Sequence, residues 1–363
     1  MNILILTPDR VGSTLLQRLI TIYANLSDIH NLTVNLHELT NGLVRYYSPK
    51  YNRNLLGKKE KSWGYYQSLS EIANLLADAE HGITSRLAYY HIKNRKDSLK
   101  DQLSFYDYLN NNFYIIAARR HNLFEHALSW AIAVESKKLN VYSFEEKYKV
   151  FYNIVTNGIN INETTLTKYL NSYVEYLNWA DNHFHINSYF NYETDLVNIE
   201  QYIFNLSPFK GLKTCTWENK FNITWDDWNR MHYLLSLVLF EETFTVEEKK
   251  FMAENMKRYT ACRSFIQDLQ DDGILVSGVP IKLHTLKEKT KLIENFDQVL
   301  LTYNDWHKKI SGDQITITKD SLLLIAENEN LSRKFGDLDT LSNLTSEEIS
   351  KIELDKSDLK NNV

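Results

Sequence analysis

The sequence predicts an α/β protein of three layers, in which helices flank a parallel sheet, followed by a helical C-terminal extension. Over about the first 210 residues, short apolar runs alternate with longer stretches of helical periodicity. From about residue 225 onward the periodicity is helical only. We predict strands at 2–7, 33–37, 82–89, 113–118 and 184–190, and helices at 13–25, 68–79, 121–136, 164–181, 225–240, 246–269 and 285–310.

The predicted organisation is a core with two additions. Gly and Pro are scarce, with 11 and 4 residues among 363, so no long flexible linker divides the chain. We expect an α/β core over 1–215, a helical part over 216–326 that packs on the core, and a tail over 327–363. The tail is rich in Asp, Glu, Lys, Asn and Ser, which is typical of short helices or partial disorder.

Composition and charge exclude several classes of function. With 43% hydrophobic and 24% charged residues, the chain has the composition of a soluble globular protein. A net charge of −5 argues against a nucleic-acid partner. Two cysteines are too few for a disulfide scaffold, and no Cys/His cluster has the spacing of a zinc site, so we expect no metal.

The apolar runs do not predict export or membrane insertion. The N-terminal run has no basic region before it and breaks at Thr7-Pro8, unlike a signal peptide. No later stretch approaches the length that spans a bilayer. We therefore expect a cytoplasmic protein without a membrane partner; the sequence does not predict its oligomeric state.

The first predicted strand leads through a short polar loop into a helix. Free backbone N–H groups and the positive end of a helix dipole make such a loop an anion site. The loop lacks the Lys-Ser/Thr ending of the Walker pattern, which argues against an ordinary ATP-hydrolysing or kinase site. We expect a phosphate-bearing ligand here, held by Arg10, Val11, Gly12, Ser13 and Thr14.

A second arginine-bearing element follows the strand predicted at 113–118. Arg119 and Arg120 stand at the end of that strand, and Ser129 lies on the helix that follows. A guanidinium offers a planar set of charged donors to phosphate oxygens, and a hydroxyl on the helix adds one more. Arg120, with Arg119 as the competing arginine, and Ser129 therefore have the chemistry to bind a phosphate.

A third element, from Asn187 to Leu196, combines a strand with acidic residues. Tyr192, Glu193 and Asp195 are predicted to brace the strand end and to cap the next helix rather than to touch a substrate.

Together these three elements, in this order, resemble the sulfotransferases that use 3′-phosphoadenosine 5′-phosphosulfate (PAPS), and the run Ala127-Leu128-Ser129 is similar to the bacterial branch of the trehalose 2-sulfotransferases. Asp9 and Val11 depart from the family's loop, which commonly has Pro and Ser at those places. The resemblance implies the P-loop-like sulfotransferase fold and PAPS as co-substrate. It also implies that the loop holds the 5′-phosphosulfate and that Arg120 and Ser129 hold the 3′-phosphate.

The resemblance further implies in-line sulfuryl transfer to a hydroxyl or amine of a small-molecule or carbohydrate acceptor. Arg10 would stabilise the charge that develops on the leaving phosphate. A general base must take the acceptor's proton, and Glu38, His37 and His91 are the candidates in that order. Arg86 would contact donor or acceptor, or form a surface ion pair.

Two other functions remain open. A degenerate P-loop kinase or other nucleotide-dependent transferase would need magnesium and a basic residue in the loop, a place that Arg10 fills awkwardly. A nucleotide-binding protein without catalytic activity would keep the fold without the reaction, since a fold does not fix a function.

Overall fold

The computed structural model contains a five-stranded sheet in which all strands are parallel, in the order β2-β3-β1-β4-β5. Helices cover both faces of this sheet, so the predicted α/β class is confirmed. The strands are β1 (Asn2–Thr7), β2 (Thr33–Glu38), β3 (Gly82–Ala88), β4 (Tyr114–Arg119) and β5 (Ser188–Asn191). The residues that the structure describes are 1–27, 33–40, 68–79, 81–137, 157–212, 215–238, 244–272, 274–275, 293–311 and 318.

Polar side chains at their N-termini define where several helices begin. Ser68 with Glu71 and Thr245 with Glu248 form capping boxes, in which each pair satisfies two backbone N–H groups. The helices are α1 (Ser13–Leu26), α2 (Leu69–Ala77), α3 (Tyr89–Lys93), α4 (Leu99–Asn112), α5 (Leu123–Glu135), α6 (Glu163–His183), α7 (Tyr192–Asp195), α8 (Ile199–Asn205), α9 (Trp217–Phe221), α10 (Trp225–Val238), α11 (Val246–Asp271) and α12 (Phe296–Ser311).

Two apolar layers hold the helices on the sheet. Side chains alternate along a strand, so Leu4 and Leu6 of β1 join the layer with α2, α4, α5, α6 and α12, while Ile3 and Ile5 join the layer with α1 and α8 to α11. The C-terminal helices therefore contribute to both layers. Burial of this much apolar surface is the main favourable term in folding.

Some elements differ from the predictions. Strand β5 begins four residues later than predicted, because Phe184 ends α6 and Asn110 hydrogen-bonds the backbone of His183 and His185. Helix α4 was not predicted, since its apolar stripe is weak and Leu99 remains 70% exposed. Of the helix predicted at 285–310, the structure describes only the part from 293 onward, and the predicted tail at 327–363 lies outside the described residues.

The sheet topology defines where ligands bind. In open parallel sheets, ligands lie beyond the carboxyl ends of the strands, at the point where successive connections leave to opposite sides. Helix α1, which follows β1, belongs to one layer, and α5, which follows β4, belongs to the other. Because β1 and β4 are neighbours, the crevice beyond their carboxyl ends is the expected position of the site.

Candidate functional site

The loop after β1 has an unusual backbone. Asp9 and Arg10 have φ values of 70° and 56°, and Gly12 has a φ of 70°. Left-handed φ values are costly for residues with a side chain, so surrounding contacts must hold Asp9 and Arg10 in this form. Thr7 contributes locally, because its hydroxyl accepts from the Asp9 N–H at 3.1 Å and donates to Ser13 Oγ at 2.9 Å.

Donors from elsewhere in the chain hold the carbonyls of this loop. Tyr169 Oη donates to Pro8 O at 3.2 Å, His126 Nε2 lies 2.8 Å from Asp9 O, and Arg120 Nη1 lies 3.4 Å from Arg10 O. All three donors come from the side of α5 and α6. The loop carbonyls are thus drawn toward the protein interior.

The backbone N–H groups from Val11 to Thr14, unlike the loop carbonyls, are not held by hydrogen bonds within the described part of the chain. Within the described part of the chain, no residue accepts a hydrogen bond from the backbone N–H of Val11, Gly12, Ser13 or Thr14, and the first bond of α1 runs from Leu16 N to Gly12 O. Unpaired N–H groups at a helix N-terminus favour an anion. These N–H groups belong to the loop that the sequence predicts to bind an anion.

Gly12 is also a point of close approach. A Cβ atom added there would lie 2.9 Å from Cδ2 of Tyr192, the first residue of α7, which is closer than real Cβ contacts come. The loop therefore needs glycine for two reasons, its φ and its contact with Tyr192.

A local irregularity in the sheet brings Glu38 to the site. Strand β2 pairs in register from Thr33 with Gly82, and continuing that register would place His37 opposite Arg86. The register shifts between Asn35 and Glu38, so that Glu38 faces Arg86 instead. Such bulges redirect side chains. The side chain of His37 lies outside the described part of the structure.

Glu38, Arg86 and His91 form a buried charged cluster. Glu38 Oε1 lies 2.8 Å from Arg86 Nη2, and Glu38 Oε2 lies 3.1 Å from His91 Nδ1. Arg86 also contacts the hydroxyls of Ser13, at 3.4 Å, and of Thr14. Because the Arg86 side chain is 4% exposed, its interpretation as a surface ion pair is wrong. The cluster joins the ends of β2 and β3 to the start of α1.

Two titratable groups of this region are perturbed. Burial alone would lower the pKa of His91, but its contact with Glu38 raises it above the ordinary value. Burial, with a smaller contribution from the charge of Glu38, raises the pKa of Asp9. Asp9 therefore takes up a proton more readily than an exposed aspartate does, which reduces its repulsion of an anion in the loop.

Arg10 is the cationic residue of the loop itself. Its strongest electrostatic neighbours are Tyr169, Tyr192, Asp9 and Arg120, and burial lowers its pKa. An arginine remains protonated at neutral pH despite such a shift. Two cationic side chains thus lie at the loop: Arg86, which contacts the start of α1, and Arg10, which lies near Tyr192 at the start of α7.

Arg120 already has anionic partners. Its Nε lies 3.2 Å from Glu193 Oε1 and its Nη2 lies 2.9 Å from Glu125 Oε2, while the Tyr192 ring covers one face of the guanidinium at 4.3 Å. Burial would lower the pKa of Arg120, but the two carboxylates raise it. A phosphate at Arg120 would have to share the guanidinium with Glu125 and Glu193.

Glu193 also braces the start of α5. Its two carboxylate oxygens accept from the backbone N–H groups of His121, at 3.0 Å, and Asn122, at 3.1 Å. This agrees with the bracing role predicted for Glu193. The predicted helix cap at Asp195 is wrong, because Asn198 is the N-cap of α8 and Asp195 accepts from the Asn191 N–H instead.

Arg119 and Ser129 are the other two candidates for a second phosphate. Arg119 pairs with Asp181 at 3.0 Å, and its guanidinium carbon lies 3.8 Å from the centroid of the Tyr189 ring. Ser129 is half-buried on α5, one turn beyond Glu125 and on the same face of the helix. Ser129 therefore lies on the face of α5 that carries Glu125, an ion-pair partner of Arg120.

His126 and Tyr169 are site residues that the sequence analysis missed. No motif singles out either residue, and their contacts with Asp9 O join residues more than a hundred positions apart. An i to i+4 spacing on α6 does place Tyr169 and Tyr173 on one face, and both hydroxyls hydrogen-bond the backbone near the site. The spacing of these two tyrosines is the only feature of the sequence that could have pointed to this part of the site.

His126 makes stability sensitive to acid. Burial, together with the charge of Arg120, lowers its pKa to about 3, whereas an unfolded histidine has a pKa of about 6.5. Between those values the unfolded chain binds a proton that the folded chain does not, so stability falls as the pH falls. The slope from this group is about 1.4 kcal/mol per pH unit below about pH 6.5.

We expect His126→Gln to remove this part of the pH dependence, because glutamine does not titrate. The measurement is urea unfolding of both proteins at pH 7 and pH 5, with the wild type losing about 2 kcal/mol more than the variant between the two. Equal losses in the two proteins would show that His126 titrates normally in the folded state.

Comparisons with known proteins give no family for this chain: no protein-family model matches it, and no curated protein sequence matches it. Among the described residues, no helix is both long and apolar enough to cross a membrane. In the same part of the chain, no three His, Cys, Asp or Glu side chains are grouped so that they could hold a metal ion. The function of this protein is therefore inferred from the geometry of the site.

Proposed function

We propose that this protein is a PAPS-dependent sulfotransferase that acts on a hydroxyl or amine acceptor. One observation carries the proposal: a loop with unpaired N–H groups among the described residues, a buried arginine and a carboxylate–histidine pair meet at the carboxyl edge of one parallel sheet. Sulfuryl transfer needs these three parts, namely an anion site, positive charge near the leaving oxygen and a base for the acceptor.

In this proposal the 5′-phosphosulfate lies on the unpaired N–H groups from Val11 to Thr14. Arg10 and Arg86 lie beside it and supply positive charge. As the bond from sulfur to the bridging oxygen breaks, that oxygen gains negative charge. Preorganised guanidinium groups stabilise the charge without having to rearrange.

His91 and Glu38 supply the base. The acceptor oxygen attacks sulfur in line with the leaving phosphate oxygen and gives its proton to His91. Glu38, at 3.1 Å from His91 Nδ1, orients the ring and stabilises the imidazolium that forms. His91 has the more exposed side chain of the pair, 16% against 8%, so it is the member that an acceptor can reach.

The first test is ligand-induced stabilisation. We expect adenosine 3′,5′-bisphosphate at about one hundred times its Kd to stabilise the protein by about 2.7 kcal/mol, which corresponds to about 3 °C in Tm for a chain of this length. Gly12→Ala is expected to abolish the shift, because the added methyl meets Tyr192.

Gly211→Ala is the matched control. Gly211 has a φ of +82°, but a Cβ atom there meets nothing within 4 Å, so this variant carries the same backbone cost without the clash. No shift in the wild type at millimolar ligand would contradict the proposal. A larger shift with magnesium and ATP would favour a P-loop kinase, and binding of PAPS without its breakdown would favour a non-catalytic nucleotide-binding protein.

A further inference from the structure

The Pro8 and Asp9 carbonyls share one pair of buried side chains. Tyr169 Oη lies 3.2 Å from Pro8 O and 3.3 Å from Asp9 O, and His126 Nε2 lies 2.8 Å from Asp9 O. The two side chains also contact each other, with Tyr169 Oη 2.7 Å from His126 Nε2. Trp130 stacks on the Tyr169 ring at 4.4 Å and keeps the ring in place.

These contacts determine the tautomer of His126. Asp9 O is an acceptor only, so the nitrogen that faces it at 2.8 Å must carry the proton. Nε2 is therefore protonated and Nδ1 is not. His126 is fully buried near Arg120 and Arg10, which disfavours a second proton on the ring. The ring is thus a neutral donor aimed at the loop.

The contacts also account for the strained backbone. Asp9 and Arg10 both have left-handed φ values, a conformation that costs about 1–2 kcal/mol for each residue with a side chain. Rotation of the two peptides that flank Asp9 would relieve this cost. It would also change the direction in which the chain enters residues 11–14, whose N–H groups are unpaired among the described residues. The hydrogen bonds to Pro8 O and Asp9 O hold those two peptides and oppose the rotation.

We propose that His126 and Tyr169 are positioning residues that hold the Pro8–Asp9 and Asp9–Arg10 peptides, so that the N–H groups of residues 11–14, which follow them, face the 5′-phosphate of the donor. This inference rests on the proposed function, since it names what presents the loop to that ligand. Neither side chain touches the ligand: both act through Pro8 and Asp9. The effect should therefore be confined to the 5′-phosphate.

The test compares two ligands that differ in that one group: adenosine 3′,5′-bisphosphate and adenosine 3′-monophosphate. By calorimetric titration, Tyr169→Phe and His126→Leu should each weaken binding of the bisphosphate by about tenfold, which corresponds to the loss of one buried hydrogen bond. Binding of the 3′-monophosphate should stay unchanged. His126→Gln, which keeps a donor near the Nε2 position, should regain most of the affinity.

Tyr176→Phe is the matched control. Tyr176 lies on the same helix and is equally buried, but its hydroxyl donates to the strand carbonyls of Leu6 and Ala118 rather than to the loop. Its ratio of the two affinities should equal that of the wild type. An unchanged ratio in Tyr169→Phe and His126→Leu, or an equal loss for both ligands, would overturn the inference. A wild type that binds neither ligand would instead overturn the proposed function, and the inference with it.

Discussion

Arg120→Ala is expected to lower the free energy of unfolding by about 3–5 kcal/mol, the range found when one partner of a buried ion pair is removed. Arg120 lies between Glu125 and Glu193, whose side chains are 14% and 7% exposed. Without the guanidinium, two poorly solvated carboxylates would remain without their cation. Glu193 would keep its two backbone N–H partners, whereas Glu125 would lose its ion pair.

Arg119→Ala is the control, at the adjacent position. The ion pair of Arg119 with Asp181 is much more exposed, at 28% and 51%, so its loss should cost less than about 1 kcal/mol. Urea unfolding at pH 7 measures both variants. Equal deficits in the two variants would contradict the buried ion-pair account.

The expected loss of stability in Arg120→Ala complicates the use of this variant to test for a second phosphate site. A loss of nucleotide binding in Arg120→Ala would not by itself assign Arg120 to the 3′-phosphate, because the variant also disturbs Arg10 O and the start of α5. Ser129→Ala avoids this difficulty, since no hydrogen bond of the Ser129 side chain is present among the described residues.

Arg10→Ala is expected to slow the breakdown of PAPS by about a hundredfold or more, the typical cost of removing a preorganised donor aimed at developing charge. Water serves as the acceptor in this assay, so the natural acceptor need not be known, and release of adenosine 3′,5′-bisphosphate is followed over time. Affinity for the bisphosphate should fall less than the rate does, because charge on the bridging oxygen develops mainly in the transition state.

Arg258→Ala is the control for the loss of one positive charge. Arg258 is exposed on α11, far along the chain from the loop, and its nearest described partner is Asn255. The rate in this variant should match the wild type. If Arg10→Ala reduced affinity and rate by the same factor, Arg10 would be a binding residue without a separate role in the reaction.

Much of the fold could be predicted from local pattern. Runs such as Ile3-Leu4-Ile5-Leu6 are apolar on both faces, as strands covered by two layers of helices must be. The start of α4 could not be predicted in this way, because Leu99 and Leu103 are exposed and few of its apolar residues contribute to the core. The start of β5 could not be predicted from local pattern either, because it depends on hydrogen bonds with the distant Asn110.

The candidate site was predictable where it depends on strand ends. Carboxyl ends of parallel strands share one edge of the sheet, so Glu38, Arg86 and the loop had to lie near each other. The choice between His37 and Glu38 opposite Arg86 depends on a one-residue register shift, which no local pattern specifies. The sequence did not predict the carboxylate partners of Arg120 either, since Glu193 is 73 residues away in the chain.

The central position of β1 has a consequence for synthesis on the ribosome. Its neighbours β3 and β4 end at residues 88 and 119, so the apolar strand emerges first and waits for both partners. At roughly 5–20 residues per second, the delay until β4 is complete is about 6–22 s. Both edges of β1 stay open until β3 has been made, and one edge stays open until β4 is complete, so this apolar segment is exposed to incorrect strand pairing while the chain is nascent.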